Sequence, residues 1–162
     1  MSRVQLALNV NDIDEAVAFY TRLFGTEPAK RRPGYANFAV EQPPLKLVLL
    51  ENPGEGGTLN HLGIEVPDID AVDAEQTRLA TAGLTSTDER ATTCCYAKQE
   101  KFWVQGTPAG ESWEIYTILE DSPTFYGDDT AAEARWGGTE PACCGTDSSQ
   151  PAEASASPAA CC

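Results

Sequence analysis

The six cysteines of this 162-residue chain fall in three adjacent pairs, Cys94-Cys95, Cys143-Cys144 and Cys161-Cys162. Random placement of six would give roughly 0.2 such pairs, so the pairing has a cause beyond composition. Neighbouring Cα atoms lie about 3.8 Å apart, and a disulfide closed over one peptide bond is strained. Each pair therefore reads as a dithiol for a soft atom or as a redox couple. In a regular strand adjacent side chains point to opposite faces, so Cys94 and Cys95 can converge on one atom only from a loop or turn. The stretch ERATTCC, with little alternation of apolar and polar residues, is read as such a loop.

Three more residues have the chemistry of metal ligands. Gln5 lies in the alternating run VQLALNV and His61, the single histidine, in HLGIEV. The apolar residues Val4, Leu6, Leu8 and Val10 must face a helix layer, which sends Gln5 to the opposite face of its strand, and the same argument applies to His61. Glu114, in ESWEIY, sits among Trp113, Ile115 and Tyr116, where a carboxylate needs a positive partner. A divalent metal would supply one, and so would Lys98 or Lys101.

These positions are tied together by an internal repeat. Residues 5–23 (QLALNVNDIDEAVAFYTRL) and 61–79 (HLGIEVPDIDAVDAEQTRL) align without gaps, with nine of nineteen positions identical, and the alignment sets Gln5 against His61. Each copy opens with a strand and continues into a helix. In the first, Asp12 is a natural N-cap with Glu15 three residues on, Ile13, Ala16, Val17, Tyr20, Leu23 and Phe24 share one helical face, and Gly25 ends it. Strand-like runs follow at about 27–31, 35–40 and 46–50, and again at about 84–87, 101–104 and 113–119. The module is βαβββ used twice, over residues 1–56 and 57–120. From about residue 121 the chain becomes rich in Ala, Ser, Gly, Pro and acid, and it is expected to be a largely disordered acidic tail that carries Cys143, Cys144, Cys161 and Cys162.

Charge narrows the partners. With 11 Lys+Arg against 25 Asp+Glu the net charge is −14, which argues against nucleic acid and anionic membrane and leaves a small molecule. The opening MSRVQLALNVND has neither a long apolar core nor a small-residue cleavage site, so a cytoplasmic location with reduced thiols is expected.

The helix entry NDIDEAVAFYTRLFG, the strand LNHLGIEV and the segment GTPAGESWEIY together resemble the vicinal oxygen chelate superfamily, over residues 1–120. The resemblance implies an α+β fold in which two βαβββ modules form a cup-shaped mixed sheet around a metal. It carries the ligand positions over to Gln5, His61 and Glu114, while the fourth place, near Leu45 to Leu49, holds no ligand-type side chain. Three protein ligands with open positions suit Fe(II) oxygen chemistry, although Gln5 stands where a two-histidine, one-carboxylate triad would have its second histidine.

Within that superfamily TTCCYAKQEKFWV is similar to the carbon-arsenic lyases, non-haem iron dioxygenases that degrade trivalent organoarsenicals, and to the related cadmium-induced proteins. That likeness implies an Fe(II) enzyme that takes a trivalent organoarsenical, methyl or aromatic, and O2 as its small-molecule partners and releases arsenite in arsenic detoxification. Cys94 and Cys95 would bind the arsenic, with Tyr35, Phe38, Tyr96, Phe102 and Trp103 lining the cup or packing in the core. A homodimer is one option for assembly. The alternatives are a non-catalytic thiol trap for Cd(II), As(III) or Sb(III), and another superfamily enzyme such as an extradiol dioxygenase or a glyoxalase.

Overall fold

A computed structural model of the protein describes residues 2–127; residues 128–162, with the two C-terminal cysteine pairs and most of the expected tail, lie outside the described part. Strand β1 (Arg3–Val10) leads into helix α1 (Ile13–Phe24) and then β2 (Lys30–Arg32), β3 (Tyr35–Val40) and β4 (Leu45–Glu51). The second module repeats the order with β5 (Leu59–Glu65), α2 (Ile69–Thr81), β6 (Ser86–Cys94), β7 (Ala97–Val104) and β8 (Trp113–Asp121). The eight strands form one curled, half-barrel sheet in the order β2-β3-β4-β1-β5-β8-β7-β6. Its centre is the antiparallel pair of repeat-equivalent strands β1 and β5, each flanked by the parallel last strand of its own module, β4 and β8.

The helices begin where the sequence supplies caps. Asp12 accepts from the backbone N–H groups of Asp14 and Glu15, Asp68 does the same for Ala71, and Gly25 closes α1 in the left-handed conformation that a residue without Cβ adopts freely. Both helices cover the convex face. Ile13 and Val17 pack on Phe38, Leu47 and Leu49, while Val72 and Leu79 pack with Val66, Phe102 and Ile115. Leu23, expected on the packed face of α1, is 58 % exposed, because the stripe narrows to Tyr20 and Phe24 in the last turn.

Alternation along the strands then fixes the concave face. In β1 the residues Gln5, Ala7 and Asn9 are buried there, more completely than the apolar residues Leu6, Leu8 and Val10 beneath the helix. The polar side of the strand is thus the inside of the cup. The same alternation decides between lining the cup and packing in the core for two of the aromatics: Phe38 and Phe102 point to the helices and belong to the convex core.

The strand ends differ from the sequence reading at the two sheet edges. β2 is a three-residue strand starting at Lys30, and β6 runs from Ser86 to Cys94, so most of the expected ERATTCC loop is strand. An edge strand facing solvent needs no apolar alternation, and β6 is broken by a register shift between Glu89 and Thr92 with Ala91 at φ 50°. Residues 121–127 continue the fold: Asp121 ends β8, Tyr126 bridges to Cys94, and Phe125 packs against Tyr35 and Tyr96. Among the described residues no helix is long and apolar enough to cross a membrane.

Candidate active site

Gln5, His61 and Glu114 meet at one point on the concave face. Gln5 Nε2 donates to Glu114 Oε1 at 2.7 Å and lies 2.9 Å from His61 Nε2, and His61 Nε2 lies 3.4 Å from the same carboxylate oxygen. Ligand bonds of about 2.1 Å at right angles separate neighbouring donors by about 3.0 Å, so these three head groups have the spacing of one triangular face around a divalent ion. All three are buried. Gly63 leaves room between them: a Cβ there would come within 3.1 Å of Glu114 Cγ and 3.2 Å of Gln5 Cβ.

The parts of the triad are held from outside. His61 Nδ1 lies 2.7 Å from Asn60 Oδ1, whose own amide nitrogen donates to Asn9 Oδ1. Asn60 therefore presents an acceptor, the imidazole proton resides on Nδ1, and the Nε2 lone pair faces the triad. Trp103 meets the imidazole edge to face at 5.7 Å. The second oxygen of Glu114 accepts from Lys101 Nζ at 3.0 Å, and Lys101 also reaches Glu89 at 3.2 Å. Burial alone would raise the Glu114 carboxyl, but the Lys101 ammonium, with the His61 imidazole second to it, overrides burial and holds the pKa at about 2. Lys101 is thus the positive partner that the position of Glu114 demands.

A second polar cluster lies under Gln5. Tyr116 OH is 2.6 Å from Gln5 Oε1 and 2.9 Å from Glu65 Oε2, and it accepts from Lys46 Nζ at 3.0 Å. Glu65 is paired with Lys46 and Arg3. Burial, with Glu65 and Glu114 nearby, pushes the Tyr116 phenol well above its ordinary value, so it keeps its proton. Sequence reading missed this cluster, counting Tyr116 only as apolar company for Glu114. The available signal was Lys46 inside LKLVLL, a charge that a buried strand can carry only with a partner.

Repeat symmetry shows why no fourth polar head group stands opposite Glu114. Gly63 pairs with Glu114, and its repeat mate Ala7 pairs with Val48, so the place opposite Glu114 is apolar. Among the described residues no group of three His, Cys, Asp or Glu side chains assembles for a metal; two of those types meet here and an amide is the third member.

Cys94 and Cys95 line the same cavity as the triad, together with Tyr35, Asn37, Gln99 and Lys101. The enclosed space, about 20 Å³, holds a single water or ion. Cys94 ends β6 and pairs with Ala97, leaving Cys95 and Tyr96 as a two-residue hairpin loop. Both have left-handed backbones, φ 57° and 61°, the pattern of a type I′ turn that ordinarily selects Asn-Gly. This turn brings the two thiol sulfurs to 3.0 Å from each other. Two L-residues held at positive φ are a strain that the surroundings must enforce. Tyr96 is clasped between Tyr35 and Phe125, with its backbone carbonyl accepting from Lys30.

Residues 3–115 match the family model of the Glyoxalase/Bleomycin resistance protein/Dioxygenase superfamily. This chain belongs to that superfamily. Among its curated relatives, the cadmium-induced protein CadI of Mycobacterium tuberculosis is 66 % identical over 125 residues, covering 77 % of this chain and 82 % of the relative. A trivalent organoarsenical cleaving enzyme of Thermomonospora curvata is 53 % identical over 133 residues, covering 82 % and 87 %. Solved structures of the superfamily share the fold at lower identity: a Mn(II)-bound glyoxalase from Novosphingobium aromaticivorans aligns at 20 % identity with a TM-score of 0.51, over 75 % of this chain and 42 % of that one. The superfamily's scaffold accounts for the two modules, the cup and the central β1/β5 pair.

Proposed function

We propose that the protein is an Fe(II)-dependent dioxygenase that cleaves the carbon-arsenic bond of trivalent organoarsenicals and releases arsenite, with Gln5, His61 and Glu114 holding the metal and Cys94 and Cys95 holding the substrate. The observation that carries this reading is the Cys95-Tyr96 turn, which sets two thiols 3.0 Å apart on the wall of the cavity that contains the triad. The kinship with an enzyme named for cleaving trivalent organoarsenicals supports it.

The chemistry divides between the two clusters. A substrate R-As(OH)2 loses both hydroxyls as water when two thiols replace them, so the Cys94-Cys95 pair holds arsenic by two As-S bonds and leaves the As-C bond displayed. A free thiol near pKa ~8.5 is only a few per cent ionised at neutral pH, and exchange of thiol for hydroxyl proceeds from that fraction. The I′ turn pre-arranges both sulfurs, which limits the entropy lost on chelation. Bound iron would supply activation of O2. Lys101 keeps Glu114 ionised and directs one carboxylate oxygen at the cation position, Asn60 fixes the His61 tautomer, and Val48 leaves the opposite side without a competing ligand.

The test is anaerobic loading with Fe(II), followed by O2 and a trivalent organoarsenical, with arsenite and O2 uptake measured together. Catalytic arsenite release coupled to O2 consumption is the expected result. The likeness to a cadmium-induced protein favours one other reading, a thiol trap for Cd(II), As(III) or Sb(III). Stoichiometric binding of arsenic without turnover would select that reading and overturn the enzyme.

A further inference from the structure

The head of Gln5 is turned the wrong way for a cation. Its amide nitrogen, a donor, faces Glu114 and His61, and its oxygen, the only atom able to ligate, faces Tyr116. In this orientation both polar atoms of the amide have partners: Nε2 donates to the carboxylate and to the imidazole lone pair, and Oε1 accepts from the phenol. Turning the amide by half a rotation would set Gln5 Oε1 against Glu114 Oε1, at the 2.7 Å now spanned by a hydrogen bond. Two acceptors at that distance repel unless a cation lies between them.

Tyr116 is what allows both orientations. Its hydroxyl has one proton and two lone pairs, and it stands within hydrogen-bond distance of three groups, Gln5 Oε1, Glu65 Oε2 and Lys46 Nζ. Lys46 can only donate and Glu65 only accept. With the amide oxygen toward it, the phenol must choose between two acceptors for its single proton. With the amide nitrogen toward it, the phenol accepts from Gln5 and Lys46 and donates to Glu65, and no demand is left over. The Lys46-Glu65-Arg3 cluster holds the phenol oxygen in place throughout.

We infer that Tyr116 is a positioning residue that gates the site: admission of a divalent cation turns the Gln5 amide, and the Tyr116 hydroxyl absorbs the turn by redirecting its proton from Gln5 to Glu65. This rests on the reading that Gln5, His61 and Glu114 hold a cation. No bond is made or broken beyond hydrogen bonds, and in both end states each polar atom of the Gln5 amide keeps a partner.

The probe is Mn(II), a hard ion that thiols do not prefer, with bound metal read by the loss of its free-ion electron paramagnetic resonance signal. Tyr116→Phe keeps the ring and removes the hydroxyl, leaving the turned amide without an acceptor, and it should weaken Mn(II) binding by about tenfold or more. Gln5→Glu needs no turn, because both heads of a carboxylate are oxygens. Adding Tyr116→Phe to Gln5→Glu should therefore cost less than about threefold, a small part of what loss of such a supporting partner otherwise costs. Equal losses in the two backgrounds, or no loss in the parent, would overturn the gate and assign Tyr116 to packing alone. Where Tyr116→Phe fails to fold, an atomic-resolution or neutron structure of the Mn(II)-loaded parent decides: nitrogen toward Tyr116 supports the gate and oxygen toward it overturns it. If the parent binds Mn(II) no better than His61→Ala, the cation reading falls and the gate with it. Binding that His61→Ala abolishes but Tyr116→Phe leaves untouched sinks only the gate.

Discussion

At the scale of single residues, the proposed function assigns capture and metal holding to different side chains, so the two should be separable. Cys94→Ser and Cys95→Ser each replace a soft sulfur with a hard oxygen that exchanges with water, so either should abolish arsenite release while iron content stays at the parental level. Arsenite and iron measured on the same reconstituted samples check this, and parental turnover in the double variant would refute the capture role. Glu114 gives a prediction in pH. Its carboxyl has a folded pKa of about 2 against an ordinary 4.5. A depressed carboxylate stabilises the fold above the unfolded value and loses that contribution as pH falls toward the folded one. The stake is on the order of 3 kcal/mol, present in full above about pH 5 and gone near pH 2. Glu114→Gln lacks it, so in urea unfolding of the metal-free proteins the gap between parent and variant should narrow steadily from pH 5 to pH 2. A gap that stays constant over that window would show that Lys101 and His61 do not hold the carboxylate in the ionised form.

At the scale of elements, the site depends on one missing side chain. β5 passes between Gln5 and Glu114, and Gly63 lets both lean across it. Gly63→Ala adds a Cβ that forces its neighbours outward by a few tenths of an ångström, enough to spread the triangle of donors without removing any of them. Thermal unfolding of the metal-free variant should stay within a few degrees of the parent, while Mn(II) affinity falls by about tenfold. Unchanged affinity would show that the donors do not converge across β5. The elements also show what could be read from sequence alone. β1, β5 and α1 were legible because burial on one side prints a period of two or 3.6 in the residues, and the repeat by itself sets Gln5 against His61. β6 was not legible, because an edge strand with Thr87, Asp88 and Arg90 toward solvent and Glu89 toward Lys101 leaves no such imprint. The Cys94-Cys95 turn was inferred from the need of two adjacent thiols to converge. Its type was hidden, since Cys-Tyr is not a pair that positive φ selects. Tyr116 and Lys46 went unread for a related reason: their partners come from other strands, and no local pattern announces a contact 70 residues away.

At the scale of the whole molecule, the triad is a fastening between the halves. Gln5 comes from the first module and His61 and Glu114 from the second, 56 and 109 residues further along the chain. No local stretch of chain can present two of these groups together, so a cation that needs all three recognises only the docked pair of modules. Such an ion acts on folding by mass action: at a hundredfold excess over its Kd it adds about 2.7 kcal/mol to global stability, and adds nothing to either half alone. Mn(II) should therefore raise the unfolding temperature of the parent in a concentration-dependent way, with both modules melting in one step, and leave His61→Ala unmoved. A cell depleted of the metal would then lose more than turnover. On the proposed function it would hold a pool of chains whose halves part more often, exposing the β1/β5 seam to proteases, so that metal supply would set how long the protein lasts as well as whether it works.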